Sequence, residues 1–236
     1  MNKICKLSAI ALLASSTNLM AQSKSFEGVS LGISASSVGV EASGSHTSNS
    51  GTTANGSLGK VTQIAAADLS YGFAISQNAL IQIGATYTPG KAKAGTGTFT
   101  DNTSTSGITN TTSPGSINLQ VKDPYTIYIA PTYAVSKDSA IYAKIGYAKA
   151  DVEATATGNA TLSKKPGDLE GTVMAIGSKT MLTPNLYIGV EASYTDYDTV
   201  TGTTAVGAEA GGTTGGKTVN ADVKVAQGVV TIGYRF

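Results

Sequence analysis

Between Val229 and Phe236 the residues alternate so regularly that they permit one reading. Phe236, Tyr234, Ile232 and Val230 share one face of a strand, and Arg235, Gly233 and Thr231 share the other. Side chains along a strand point to opposite faces with a period of two, so this segment has one apolar face and one small or polar face. An apolar face that runs out in aromatics suits a strand with lipid outside and an end at the membrane interface. A terminal strand in water would fray and gain nothing from an exposed Phe.

The opposite end of the chain points to export. Lys3 and Lys6 precede an apolar run from Leu7 to Ala14, and small residues then lead to Ala21. That order predicts a signal peptide over 1–21, cleaved between Ala21 and Gln22, and a mature domain over 22–236. The apolar run is shorter than the ~20 residues a membrane-spanning helix needs. Cleavage would remove Cys5, the one cysteine, and take 16 basic residues to 14 against 15 acidic ones, a net charge of −1. A mature chain without cysteine has no disulfides and no Cys-ligated metal. Near-neutral charge without a basic run gives no footprint for nucleic acid. No later segment is apolar for the length of a spanning helix, so a membrane location requires strands.

Alternating segments predict strands at about 26–42, 59–75, 79–88, 117–135, 140–154, 169–181, 185–198 and 217–236. Three connections are short and turn-like: Ser76–Ala79, Ser136–Ser139 and Leu182–Asn185. Four others, about 43–58, 88–116, 155–167 and 199–216, are long tracts of Thr, Ser, Gly and Asn with little apolar surface to bury. Long and short connections alternate. The expected fold is therefore all-β, an eight-stranded antiparallel transmembrane barrel with four long outer loops and three short periplasmic turns. An even strand count lets the sheet close, and an open edge cannot survive in lipid. Two segments fit less cleanly. Pro131 removes a ladder donor inside the fourth strand, which suggests a bulge or a site away from lipid. In the sixth strand Val173, Met174, Ala175 and Ile176 put apolar groups on both parities, so its register stays open.

Asp68, Lys144, Glu191 and Arg235 fall on the polar faces and are expected to form a charge network inside the barrel, Arg235 pointing toward Asp68 and Glu191. Buried charges are costly unless paired, and eight strands enclose little beyond side chains. The alternative role for these charges is to gate a narrow path for ions or small solutes. His46 is the one histidine. It lies in the first long connection and would be the base of a lipid-modifying enzyme, but the flanking Ser and Thr are simply what that connection is made of, so no catalytic residue is assigned. No paired-His, paired-Cys or EF-hand pattern marks a metal site, Asp196 and Asp198 read as a solvated strand end, and no cofactor motif occurs.

Gly28-Val29-Ser30-Leu31-Gly32, Ile141-Tyr142-Ala143-Lys144-Ile145-Gly146-Tyr147, Asn185-Leu186-Tyr187-Ile188-Gly189-Val190-Glu191 and the terminal Ile232-Gly233-Tyr234-Arg235-Phe236 resemble the small OmpA-like and opacity-type outer-membrane barrels. The resemblance implies eight strands, a narrow filled interior, exposed surface loops, and insertion by the barrel-assembly machinery through a signal at Phe236 and Tyr234. It covers the mature chain as a pattern, without the peptidoglycan-binding domain some members carry. The expectation is a non-enzymatic structural and surface-display protein of the outer membrane, in contact with outer-membrane lipid and with an extracellular surface ligand. A porin-like channel, a lipid-modifying enzyme and a secreted soluble β-protein are the other readings.

Overall fold

The computed structural model describes residues 22–47, 53–99, 115–157, 162–164, 167–204 and 218–236. The expected leader, residues 1–21, and parts of the long connections lie outside them. In chain order the strands are β1 (Gly28–Thr47), β2 (Thr53–Ala74), β3 (Ala79–Tyr87), β4 (Lys91–Phe99), β5 (Gly115–Ala134), β6 (Ser139–Thr157), β7 (Leu162–Lys164), β8 (Leu169–Met181), β9 (Leu186–Tyr197), β10 (Val200–Thr204) and β11 (Thr218–Arg235). Eight of them, β1, β2, β3, β5, β6, β8, β9 and β11, form an antiparallel ring, each paired to the next. β1 closes it, running along β11 from Ser30 opposite Arg235 to Thr47 opposite Thr218. Its other edge pairs with β2.

The eight strands fall where the alternation places them, but they run further than expected. β1 and β2 continue to Thr47 and Thr53, so their hairpin takes in much of the segment read as a loop. β4, which pairs with β5, also forms inside an expected loop, and β7 and β10 pair with each other in two more. Thr is β-branched and favours strands, so a low-complexity Thr/Ser/Gly tract still forms a ladder once a neighbour supplies the partner.

Two local expectations change. In β8 Leu169, Gly171, Val173 and Ala175 are buried, while Glu170, Thr172, Met174 and Ile176 face out. Pro131 causes no bulge. It faces outward opposite Ile81, and pairing with β6 lapses at Ala130 and Pro131 but resumes at Thr132 in the same register. The ring removes one donor without displacing the strand. The register shift lies instead between Lys122 and Tyr125, where Asp123 has a φ of 47°. An extra residue there flips the face, so Tyr125 and Ile127 point out while Val121, of the same parity, is buried.

Two apolar clusters fill the interior toward its ends. At the short-turn end Phe26, Leu80, Ala134, Ala140, Met181 and Tyr187 form a buried cluster. Phe26 arrives there on a short 3-10 turn, Gln22–Phe26, held by Ser23, whose N–H donates to the Gln77 carbonyl at 2.9 Å and whose Oγ donates to that of Ser76 at 2.7 Å. At the far end Val38, Val40, Val121, Leu169, Val223 and Val225 belong to a second cluster. Between them, tyrosine rings lie over the glycines paired with them on adjacent strands. A Cβ at Gly84 would lie 2.5 Å from the Tyr128 oxygen, and one at Gly177 would lie 2.5 Å from the Tyr142 ring and oxygen. Tyr187 lies over Gly233 in the same way. Only the missing side chain makes room for each ring. Gly177→Val therefore should lower the unfolding free energy by about 1–3 kcal/mol through overpacking. Gly228→Ala, at a position with no atom within 4 Å, should not. Urea midpoints followed by the mobility of unboiled protein on a detergent gel would measure both.

Candidate functional site: the barrel interior

β2 places Asp68 inward, where it accepts hydrogen bonds from Thr86 Oγ1 at 2.8 Å and from the Tyr128 hydroxyl, 2.9 and 3.1 Å from its two oxygens. β6 and β9 bring Lys144 Nζ within 2.6 Å of Glu191 Oε2, both side chains 11% exposed. The Tyr142 hydroxyl donates to the same Glu191 oxygen at 2.9 Å. Lys144 Nζ also sits 4.2 Å from the centre of the Tyr128 ring, which joins the two halves. One continuous row results: Thr86, Asp68, Tyr128, Lys144, Glu191, Tyr142. Each charge has a charged or hydrogen-bonding partner, the condition on which a charge tolerates burial.

Arg235 is not part of this row. Its guanidinium donates to the backbone carbonyls of Glu27 at 3.1 Å and Pro184 at 3.0 Å. Its own carbonyl accepts from Asn185 Nδ2 at 2.7 Å. As the last residue of β11 it lies level with the short turns, where carbonyls without strand partners are in reach and Asp68 and Glu191 are not. It ties the β8–β9 turn to the start of β1. Tyr234 and Phe236 face outward with ring centres 5.0 Å apart.

Sequence reasoning missed Lys179. It lies on the inward face of β8, 9% exposed, with Nζ 4.3 Å from the centre of the Tyr187 ring. A usable signal was present. Glycines of other strands, such as Gly32, Gly72, Gly84 and Gly146, sit on the inward parity, and applying that rule to Gly177 puts Lys179 inside. His46 lies in β1 with its backbone opposite Val219 and Ala54, a strand position and not a loop one. Its side chain lies outside the described residues. Asp196 and Asp198 are exposed, and no group of three metal-ligating side chains occurs among the described residues.

The outer face defines a band. Tyr71, Phe73, Tyr133, Tyr234 and Phe236 face outward near the short turns, and Tyr87, Tyr125, Tyr147 and Tyr194 do so at the other rim. Between them lie exposed aliphatics such as Ile33, 70% exposed, and Ile176, 69%. A continuous apolar girdle of this kind would aggregate in water and is stable in lipid. From Leu186 to Tyr194 β9 contributes nine residues, the length a tilted strand needs to cross. Charge resumes just past Tyr147. Lys149 Nζ lies 3.0 Å from Glu170 and 3.2 Å from Asp168, and Lys91 pairs with Glu153. Hydrogen bonding to Glu170, then to Asp168, raises the Lys149 ammonium above the usual lysine range, and the bond from Lys149 lowers the Glu170 carboxyl.

Lys144→Met should be strongly destabilising, by roughly 3–5 kcal/mol, because Glu191 stays buried without its cation. Adding Glu191→Leu should recover part of that loss. Arg235→Ala should cost about 2 kcal/mol through its charge-assisted bonds to carbonyls. Urea unfolding in detergent or liposomes would rank the three.

Residues 8–236 match the outer membrane protein β-barrel domain. Among solved structures the chain is similar to the outer membrane protein OprG from Pseudomonas aeruginosa. Identity is 12%, the TM-score is 0.56, and the likeness covers 89% of this chain and 97% of that one. It also matches the attachment invasion locus protein Ail of Yersinia pestis at 15% identity and a TM-score of 0.40, over 89% of this chain and 99% of that one. A comparison with curated proteins gives no match. Closed sheet, lipid-facing band and family match agree: the chain belongs to the outer membrane protein β-barrel domain family and resides in the outer membrane of a Gram-negative bacterium.

Proposed function

We propose that the protein is a non-enzymatic barrel that serves as a structural element of the outer membrane and presents the far-end extensions of its strands to an extracellular surface ligand. One observation carries this reading: among the described residues an apolar cluster fills the lumen toward each end, and the cavity lined by the polar row and by these clusters measures about 130 Å³. Sites that bind small substrates enclose roughly 300–1,000 Å³. The polar row that lines this cavity pairs its carboxylates internally, Asp68 with Thr86 and Tyr128 and Glu191 with Lys144 and Tyr142, which supports a structural role for Asp68, Lys144 and Glu191. β1, β2, β5 and β6 extend well past the outer tyrosine rim, and these extensions are the surface another molecule would meet. Delivery to the membrane fits recognition of Tyr234 and Phe236 by the barrel-assembly machinery, both rings lying outward and free of the core.

Purified protein in planar bilayers should give no stable openings. Steady conductance that disappears when Lys144 and Glu191 are neutralised together would replace this reading with a narrow channel. Lipid A and phospholipid profiles should be the same in wild-type and His46→Ala cells, and a difference would favour a lipid-modifying enzyme. Phe236→Ser should reduce the amount of barrel in outer-membrane fractions, with unassembled protein degraded in the periplasm.

A further inference from the structure

One side chain of the short-turn cluster does not come from the ring. Leu80, Ala134, Ala140, Met181 and Tyr187 sit on strands, whereas Phe26, 1% exposed, is brought in by the turn Gln22–Phe26 ahead of β1. None of residues 22–26 joins a ladder. β1 pairs with β2 from Gly28 and with β11 from Ser30, so the ring is complete without them. Gly28 lies between the turn and the wall with a φ of 97°, a left-handed corner that leads the chain from the mouth into β1. Few polar contacts fasten the turn: Ser23 bonds the carbonyls of Ser76 and Gln77, and Arg235 bonds that of Glu27. Docking also strands polar atoms. Gln22 Oε1 and Arg235 Nε are buried without a hydrogen-bond partner, and both belong to this turn or to the side chain that holds it. Such burial costs free energy that water returns when the atoms are exposed. Burial of the Phe26 ring favours the docked turn, and the stranded atoms oppose it.

We propose that residues 22–26 are a removable stopper, a separate piece that docks on the finished ring and withdraws about Gly28 without opening it. Tyr187 belongs to the cluster around Phe26 and also lines the polar cavity, so the stopper sits directly beneath that cavity. Withdrawal admits water and small solutes from the short-turn, periplasmic side. It leaves the outer cluster of Val38, Val121 and Val223 in place, so the device controls access from one side and gives no path through the barrel.

The test places a cysteine in the cavity wall with Gln82→Cys, a position 5% exposed, in a domain whose residues 22–236 contain no other cysteine. Its reaction with a small water-soluble thiosulfonate is followed in protein extracted from outer membranes. Labelling should be slow in the otherwise wild-type chain. Adding Ser23→Ala and Phe26→Ala removes the Ser23 Oγ bond and the buried ring, and should speed labelling by about tenfold or more, because the open state no longer competes with a docked one. The ring should persist, with wild-type amounts in outer-membrane fractions and faster migration of the unboiled form. Val223→Cys, in the outer cluster, separates the stopper from general loosening, and its labelling should stay slow in both backgrounds. Unchanged labelling at Gln82→Cys overturns the proposal. Equal acceleration at both cysteines, or failure of the variant to assemble, overturns it as well, since Phe26 would then be part of the core on which the ring depends.

Discussion

Everything in this barrel depends on the pairing of β1 with β11. Hydrocarbon offers no hydrogen bond to a bare strand edge, so a sheet that crosses a membrane must close on itself. Ser30 to Thr47 meet Arg235 to Thr218 without a break, so no edge of either strand faces lipid along that seam. Closure also fixes parity. Once Ile232 and Tyr234 face lipid, Thr231 and Gly233 must face inward, and the same rule passes from strand to strand around the ring.

The interior is what that parity encloses. Three inward tyrosines each lie over the glycine paired with them on the adjacent strand, Tyr128 over Gly84, Tyr142 over Gly177 and Tyr187 over Gly233. These rings fit against the wall only because glycines stand where they land. Those rings in turn order the charges: Tyr128 binds Asp68 and underlies Lys144, Tyr142 binds Glu191, and Tyr187 underlies Lys179. The glycines inside the strands are thus the space in which a polar core is assembled.

How far the sequence discloses this depends on the strand. β3, β9 and β11 have clean alternation, and their outward faces can be written down from residue identity alone. β8 cannot be read this way, because Val173 and Ala175 are small enough to fill the lumen while Met174 and Ile176 meet lipid, and both pairs are apolar. The lost parity hid Lys179. Arg235 was assigned the right face but the wrong partners, since parity says which way a side chain points and not at what height along the axis it sits. β4, β7 and β10 were missed for another reason: Thr/Ser/Gly tracts lack the apolar alternation that announces a half-buried strand, although they can still pair. The bulge at Asp123–Pro124 left no periodic trace and shows only as a flipped face between Val121 and Tyr125.

The closing seam can be tested in place. Ala35 and Val230 are directly opposite on the outward face of β1 and β11, and residues 22–236 contain no cysteine to compete. Ala35→Cys with Val230→Cys should form a disulfide in protein taken from outer membranes, whereas Ser37→Cys with Val230→Cys, one inter-residue pair out of step, should not. Cross-linking of the first pair, together with faster migration of the unboiled form, is the predicted result. Failure of the in-register cysteines to join, or preferential joining of the offset pair, would contradict the closed register on which the whole account stands.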